Sequence, residues 1–352
     1  MTLLARRASA VSRFLALPVL LASLATGALA APVNPAAPAP SPPAADKTQR
    51  ARALLDRVNA GGPPLTDAEL AEVMDGLPTE QVDVSMVMLA SVVVDKRGRP
   101  VRGLKARNFK VLEEGRARPL AWFSEETDRP ARIVLLLDTS GSMGTPLQKQ
   151  RTRDALETLF WKFRSGDRLM MLSFAADGVQ QHGDWTEEPF SLLDTAISLQ
   201  REGRTAIIDA LYDAAAQLPP APGERQAIVL VTDGLDNSSE KEKADAVHAA
   251  RSIGVPIYVV ALVGEDRAIQ EKRAQATPLR PLREIARLTG GRFFLAKDFF
   301  ETDKAAVAIR KDLRHQYWLG FKPLRPPNGT YRPIKVEVNR KGLDVLARQG
   351  YE

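Results

Sequence analysis

The chain has 352 residues, of which 44% are hydrophobic and 26% are charged, as in ordinary globular proteins. Its formal net charge is +6, but three of the 49 basic residues lie within the first 30 residues, so the remainder carries 46 basic against 43 acidic residues. Such a small excess gives no reason to expect nucleic acid as a partner. The chain contains no cysteine, which excludes disulfides, thiolate metal sites and cysteine nucleophiles.

Residues 1–30 have the pattern of a secretory signal peptide. Arg6 and Arg7 precede an apolar stretch over 14–24, and the small residues Ala28 and Ala30 fit a cleavage site. The alternative is a retained membrane anchor, but the apolar stretch is short for a span and contains Pro18. We therefore predict an exported protein, periplasmic or secreted, with no stable membrane span after the signal is cleaved.

Two segments of different composition follow the signal. Residues 31–47 are rich in proline and alanine and are predicted to form a linker. Residues 48–80 contain two short helical patterns. In the second of them, Thr66 and Glu69 have the spacing of a capping box, which predicts a helix start.

Strand-like composition occurs at both ends of the remaining chain. Residues 82–125 contain short β-type runs separated by turn residues, and residues 313–352 alternate apolar and polar side chains in the same way. Each set is too small to be stable alone. We predict that the two sets fold together as one β-sandwich.

Strand and helix patterns alternate between these ends, over residues 130–302. The predicted strands are 133–137, 169–174, 227–231, 257–263 and 292–295, and the predicted helices are 148–163, 190–199, 206–217, 240–253 and 281–288. The first four strands are almost continuously hydrophobic, which is typical of strands buried on both faces of a parallel sheet. The pattern predicts an α/β fold with a doubly wound, mostly parallel, Rossmann-like sheet.

Two of these buried strands end in an aspartate, Asp138 and Asp233. Asp138 is followed by Ser140 and Ser142, so oxygen-bearing side chains alternate along the loop. Ligands of doubly wound sheets bind at the carboxyl ends of the strands. Hard oxygen donors without sulfur or imidazole suit Mg²⁺, Mn²⁺ or Ca²⁺. The alternative reading of the first loop is a simple helix cap.

A third loop places Thr205 before a helix. The motifs DTSGSM, GRTAIIDAL and VTDGLDNSS together resemble the three metal-site loops of von Willebrand factor A domains, over roughly 130–300. With the flanking strands, the resemblance extends over 82–352 to a bacterial group of von Willebrand factor A-related domain proteins.

The resemblance implies a metal-ion-dependent adhesion site. Its five ligands would be Asp138, Ser140, Ser142, Thr205 and Asp233, some of them acting through water. A partner protein's Asp or Glu would fill the open coordination position. Where relatives often have Gly-Gly-Thr, this chain has Arg204 before the threonine, which brings positive charge close to the site.

The function predicted from the sequence is therefore cation-dependent, non-catalytic adhesion to a protein. The alternative is a structural or scaffold protein of the envelope in which the metal only stabilises the fold. An enzyme is disfavoured because no general base can be named beside the site and the serines lack a nucleophile elbow. Arg204, Asp236 and Trp185 are the candidate partner contacts. Ser239 and Glu242 are predicted to form a capping box for a helix beginning at residue 240.

Overall fold

The structure is a computed structural model that describes residues 44–60, 62–76, 86–126, 129–218, 225–252, 254–264, 278–326 and 328–351. The predicted signal peptide and the predicted linker up to residue 43 lie outside these residues. Within the described ranges, no helix is long and apolar enough to cross a membrane.

Strands and helices are numbered in chain order. The strands are β1 (Val87–Asp95), β2 (Phe109–Glu113), β3 (Arg116–Arg118), β4 (Leu120–Glu126), β5 (Ala131–Asp138), β6 (Arg168–Ala175), β7 (Gly178–Thr186), β8 (Arg225–Thr232), β9 (Ile257–Leu262), β10 (Phe293–Ala296), β11 (Gln316–Phe321), β12 (Arg332–Val338), β13 (Leu343–Ala347) and β14 (Gly350–Tyr351). The helices are α1 (Ala44–Asn59), α2 (Asp67–Gly76), α3 (Pro146–Phe160), α4 (Leu193–Ser198), α5 (Ile207–Gln217), α6 (Lys243–Ser252), α7 (Arg280–Thr289) and α8 (Phe299–Arg314).

A six-stranded sheet forms the centre of the chain, in the order β10-β9-β8-β5-β6-β7. All neighbouring pairs are parallel except β6 and β7. One apolar core lies between one face of the sheet and α5, α6 and α7, and a second lies between the other face and α3, α4 and α8. The predicted doubly wound α/β fold is confirmed, and its central strands β5, β8 and β9 are mostly apolar because helices cover both faces of the sheet.

Two elements of this region were missed by the sequence analysis. Strand β7 is an edge strand whose side chains are exposed or half-buried, so it carries no apolar run. Helix α8 begins at the N-cap Asp298, whose side chain accepts the Glu301 N–H at 2.8 Å. It buries Ala305, Ile309 and Leu313, which are spaced four residues apart, and that pattern was available in the sequence.

The flanking strands form the predicted β-sandwich from both ends of the chain. One sheet has the order β13-β1-β11-β4 and the other β14-β12-β2-β3. All pairs are antiparallel; Leu89 of β1, for example, lies opposite Leu319 of β11. A buried cluster including Phe109, Tyr317 and Phe321 lies between the sheets. Paired strands from opposite ends of the chain are separated by roughly 190 to 260 residues, which is why neither end could form these sheets alone.

The sandwich adjoins the end of the central sheet where the parallel strands begin. The chain passes from β4 into the start of β5, and from the end of α8 into β11. The guanidinium group of Arg292, just before β10, donates to the Gly98 carbonyl in the sandwich at 3.2 Å. The Gln349 N–H donates to the Leu288 carbonyl at the end of α7. The carboxyl ends of the parallel strands therefore face away from the sandwich.

The two N-terminal helices pack against each other and against the sandwich. The Glu69 carboxylate accepts the Thr66 N–H at 2.9 Å, and the Thr66 hydroxyl accepts the Glu69 N–H, so the predicted capping box is present. Asp67 accepts a hydrogen bond from the indole N–H of Trp122 at 3.1 Å. These contacts join the helical pair to β4.

Candidate metal centre

Asp138 is the last residue of the central strand β5 and is completely buried. One carboxylate oxygen accepts the N–H of Ser140 at 2.9 Å, and the other accepts the hydroxyl of Thr232 from the neighbouring strand β8. The side chain is thus held by both the following loop and the adjacent strand. Its orientation does not depend on any residue outside this edge of the sheet.

The first loop, residues 139–145, brings two serine hydroxyls together. Ser140 Oγ lies 3.1 Å from Ser142 Oγ. Ser140 is buried and Ser142 is exposed, so the pair leads from Asp138 to the surface. Thr139, between the acid and the first serine, points elsewhere: its N–H and its hydroxyl both donate to the Phe174 carbonyl of β6. Thr139 is therefore turned away from the two serines, and its role as a spacer between Asp138 and Ser140 agrees with the alternation in the sequence, whereas the predicted ligand roles stay a prediction.

The second loop, residues 199–206, lies against the first. The Gly141 N–H donates to the Gly203 carbonyl, and the Glu202 N–H donates to the Thr139 carbonyl, both at 3.1 Å. Gly203 has φ +77°, which permits this tight approach. Thr205 follows as a buried residue two positions before α5. The second loop therefore brings Thr205 to the same edge of the sheet as the two serines.

The third loop follows β8 and carries Asp233, which is 5% exposed. Its carboxylate accepts the Leu235 N–H at 3.3 Å. The loop is tied to the second loop at Thr205, whose carbonyl accepts the N–H groups of Asn237 and Ser238 and whose own N–H donates to Asn237 Oδ1. All three loops are thus joined by hydrogen bonds within the protein.

The buried carboxylate of Asp138 has a raised pKa. Burial raises the pKa of Asp138 to about 6, hydrogen bonds from Ser140 and Thr232 act in the opposite direction, and the charge of Asp233 raises it further. Neither acid forms an ion pair with another described residue. Two nearby, buried carboxylates without a cation are unfavourable, because each loses hydration and repels the other.

The donor set fits a hard divalent cation. It consists of two carboxylates and three hydroxyls, the oxygen ligands that Mg²⁺, Mn²⁺ and Ca²⁺ take. The described residues contain no group of three or more His, Cys, Asp or Glu side chains that could hold a metal. A cation at this position would therefore take part of its coordination from hydroxyl oxygens, and it would offset the unfavourable pair of charges.

A comparison with known protein families identifies the domain that carries these loops. Residues 133–235, which contain the first two loops and the beginning of the third, match the family model described as von Willebrand factor type A domain. The chain contains a von Willebrand factor A domain. The sequence-based assignment is confirmed for the domain, and the match covers each of the five candidate ligands.

Two curated relatives are similar to the chain over about half of its length. Human von Willebrand factor A domain-containing protein 3A is 29% identical over 174 residues, which are 46% of this chain and 13% of that protein. An uncharacterized protein of Borreliella burgdorferi is 26% identical over 187 residues, 48% of this chain and 55% of the relative. The chain thus spans between about an eighth and about half of the length of these relatives.

Among solved structures, a von Willebrand factor type A protein from Catenulispora acidiphila aligns with a TM-score of 0.42 and 13% identity. The alignment covers 76% of this chain and 74% of that one.

The three candidate partner contacts are placed differently around the A domain. Arg204 is exposed beside the site, and its guanidinium group donates to the Asn237 carbonyl of the third loop. Asp236 uses both carboxylate oxygens within the protein, for the N–H groups of Ile208 and Ser239. Trp185 is half-buried near the beginning of the parallel strands, where Arg132 lies over its ring. Of the three, Arg204 and Asp236 lie at the metal loops and Trp185 does not.

The predicted capping box at Ser239 and Glu242 is wrong. Helix α6 begins at Lys243, and the Glu242 N–H donates to Asp245 Oδ2. The Ser239 hydroxyl instead accepts the N–H groups of Ile208 and Asp209 at the start of α5. Sequence spacing alone could not reveal this, because the hydroxyl caps a helix that precedes it by about 30 residues.

Asp209 on α5 also forms hydrogen bonds with the third loop. Its carboxylate accepts the N–H groups of Glu240 and Lys241 at 2.9 and 2.8 Å. Asp209 therefore braces the third loop against α5. The third loop and the start of α5 hold each other in place.

Proposed function

We propose that the chain is a non-catalytic binding protein whose A domain holds a divalent cation, Mg²⁺ or else Mn²⁺ or Ca²⁺, and through it an acidic side chain of a partner protein. The observation that carries the proposal is the pair of buried aspartates at the ends of the adjacent parallel strands β5 and β8. A buried pair of like charges is unfavourable unless an opposite charge such as a cation offsets it.

The proposed roles follow from the position of each residue. Asp138 and Asp233 supply negative charge, and Ser140, Ser142 and Thr205 supply neutral oxygens. When bound, the cation would offer a coordination position to a further anion, because the two carboxylates leave no excess negative charge that would repel it. The exposed end of the first loop at Gly141 and Ser142 leaves one side of the site open to solvent. A partner's carboxylate would approach from that side.

A purely structural metal is the alternative, and the loop contacts argue against it. Protein hydrogen bonds already join the first loop to the second at Gly141 and the second to the third at Thr205. Loops that are connected without a cation do not need one to hold their arrangement. The cation is then available for a ligand, which supports recognition as the function.

The chemistry of the site also favours binding over catalysis. Von Willebrand factor A domains are generally non-catalytic. The three histidines of the chain lie on β7, on α6 and after α8, so none belongs to the metal loops. We further propose that the protein acts outside the cytoplasm, as the predicted signal peptide implies.

The proposal is tested by the relaxation of water protons in the presence of Mn²⁺ and the purified chain. An open coordination position holds exchangeable water, so bound Mn²⁺ should enhance relaxation. A capped aspartate peptide should then reduce the enhancement by displacing that water, whereas a capped asparagine peptide should not. Mn²⁺ that binds with no displaceable water would favour the scaffold alternative, and no Mn²⁺ binding would refute both.

A further inference from the structure

A pocket opens beside the candidate metal centre, one strand further along the same edge of the sheet. It has a volume of about 480 Å³, within the range of about 300–1,000 Å³ that is usual for ligand sites. One wall is the turn between β6 and β7, and the other is the second metal loop. Thr139, which lies between the proposed ligands Asp138 and Ser140, forms part of the floor. The pocket and the metal site therefore share two loops.

The lining of the pocket is negatively charged. Asp177 projects from the β6–β7 turn and Glu202 from the second loop, and both are exposed. None of the lining residues is a lysine, arginine or histidine. The remaining polar groups include the amides of Gln180 and Gln200. A ligand side chain in this pocket would therefore meet two carboxylates from opposite walls.

The basic residues closest in sequence to these walls form hydrogen bonds with groups other than Asp177 and Glu202. The Arg201 guanidinium group donates to the carbonyls of Ala196, Ile197 and Leu199 at the end of α4. Arg204 donates to Asn237 in the third loop. His182 on β7 is paired with the Ser173 hydroxyl, and burial lowers its pKa. Among the described residues, Asp177 and Glu202 thus have no ion-pair partner.

We propose that this pocket accepts a basic side chain of the same partner segment whose acidic residue reaches the cation. The inference rests on the proposed function and adds the second half of the recognised motif. The cation selects a carboxylate and the two acids select a lysine or arginine at a fixed distance from it. A segment with a second acid at that position would be repelled, which gives selectivity.

The test uses a random peptide library displayed on phage. The library is selected on the immobilised chain in Mn²⁺ and eluted with EDTA. We expect enrichment of peptides with an acidic residue and a basic residue at a fixed spacing. The same selection on the double variant Asp177→Asn, Glu202→Gln should retain the acid and lose the basic residue. The variant Asp184→Asn removes one negative charge from an exposed position of β7 outside the pocket and should select like the unchanged chain.

Synthetic peptides quantify the effect. The double variant should bind an enriched lysine peptide about fivefold more weakly than the unchanged chain does, as expected for ion pairs with exposed acids. A peptide in which norleucine replaces the lysine should bind the double variant and the unchanged chain equally well. Enrichment of the acid without a basic residue would overturn this inference and leave the proposed function standing. A preference for the basic residue that persists in the double variant would also overturn it. If EDTA elutes no acidic motif, the proposed function fails and the inference fails with it.

Discussion

Asp138 and Thr232 meet across the two neighbouring parallel strands that end at the candidate metal centre. The Thr232 hydroxyl donates to Asp138 Oδ2, and the Thr232 Oγ1 oxygen accepts the Gly234 N–H at 2.9 Å. A continuous chain of hydrogen bonds thus runs from the first metal loop to the third. The charge of Asp138 is held in a fixed position before any cation arrives.

The substitution Asp138→Asn should separate the charge of this residue from its structural role. The amide keeps an acceptor for the Ser140 N–H and removes a buried negative charge. In EDTA, we expect a free energy of unfolding within about 1 kcal/mol of that of the unchanged chain, or above it, together with loss of the cation response. Urea unfolding measures the free energy of unfolding, and calorimetric titration with Mn²⁺ measures the cation response. A large loss of stability in EDTA would show that the carboxylate is structural.

Gly234 is expected to be intolerant of a side chain. It has φ +81°, and a Cβ there would lie 1.9 Å from Cδ2 of the buried Leu279. Gly234→Ala should cost about 2–4 kcal/mol from backbone strain and overpacking and should weaken cation binding. Gly203→Ala is the matched control, because Gly203 has a similar φ and open space around it, and should cost only about 1–2 kcal/mol. Equal costs for the two variants in urea unfolding would contradict the packing argument.

The role of Ser239 as a cap of α5 predicts a difference between two nearby substitutions. Ser239→Ala removes the acceptor of two N–H groups at the start of α5 and should destabilise the protein by about 1 kcal/mol. Glu242→Gln should have an effect below about 0.5 kcal/mol, because Glu242 does not complete a capping box. Thermal unfolding of both variants compares them directly. A larger effect at Glu242 would restore the capping box that the spacing suggested.

The carboxyl group of Asp312, at the junction with the sandwich, should make the stability of the protein depend on pH. Burial raises its pKa to about 7, against the opposing charge of Arg292, whose guanidinium nitrogen lies 3.2 Å from the carboxylate oxygens. Above the pKa of an unfolded aspartate, the folded chain binds more protons than the unfolded one. Stability should therefore fall as pH rises from about 4 to about 7. Asp312→Asn should remove this component in urea unfolding at pH 5 and pH 8. If the variant instead becomes less stable relative to the unchanged chain as pH rises, the ion pair with Arg292 outweighs burial.

The sequence predicts those parts of the molecule that are encoded locally. Strands β5 and β8 are almost entirely apolar and end at Asp138 and Asp233, so both the sheet and its polar edge could be predicted. Edge strand β7 could not, because solvent covers most of its side chains. The links between Asp236, Ser239 and Ile208 could not either, because they form between segments that meet only after folding. The pocket beside the site could not be predicted for the same reason, since its walls are about 25 residues apart in the chain.

Thermal unfolding of the purified chain, in EDTA and in increasing Mg²⁺, Mn²⁺ or Ca²⁺, tests the central claim most directly. A cation bound only by the folded state should raise the midpoint progressively with concentration, and Asp138→Asn should abolish the rise. No rise at millimolar concentrations of any of the three cations, or an equal rise in the variant, would contradict a metal centre at Asp138.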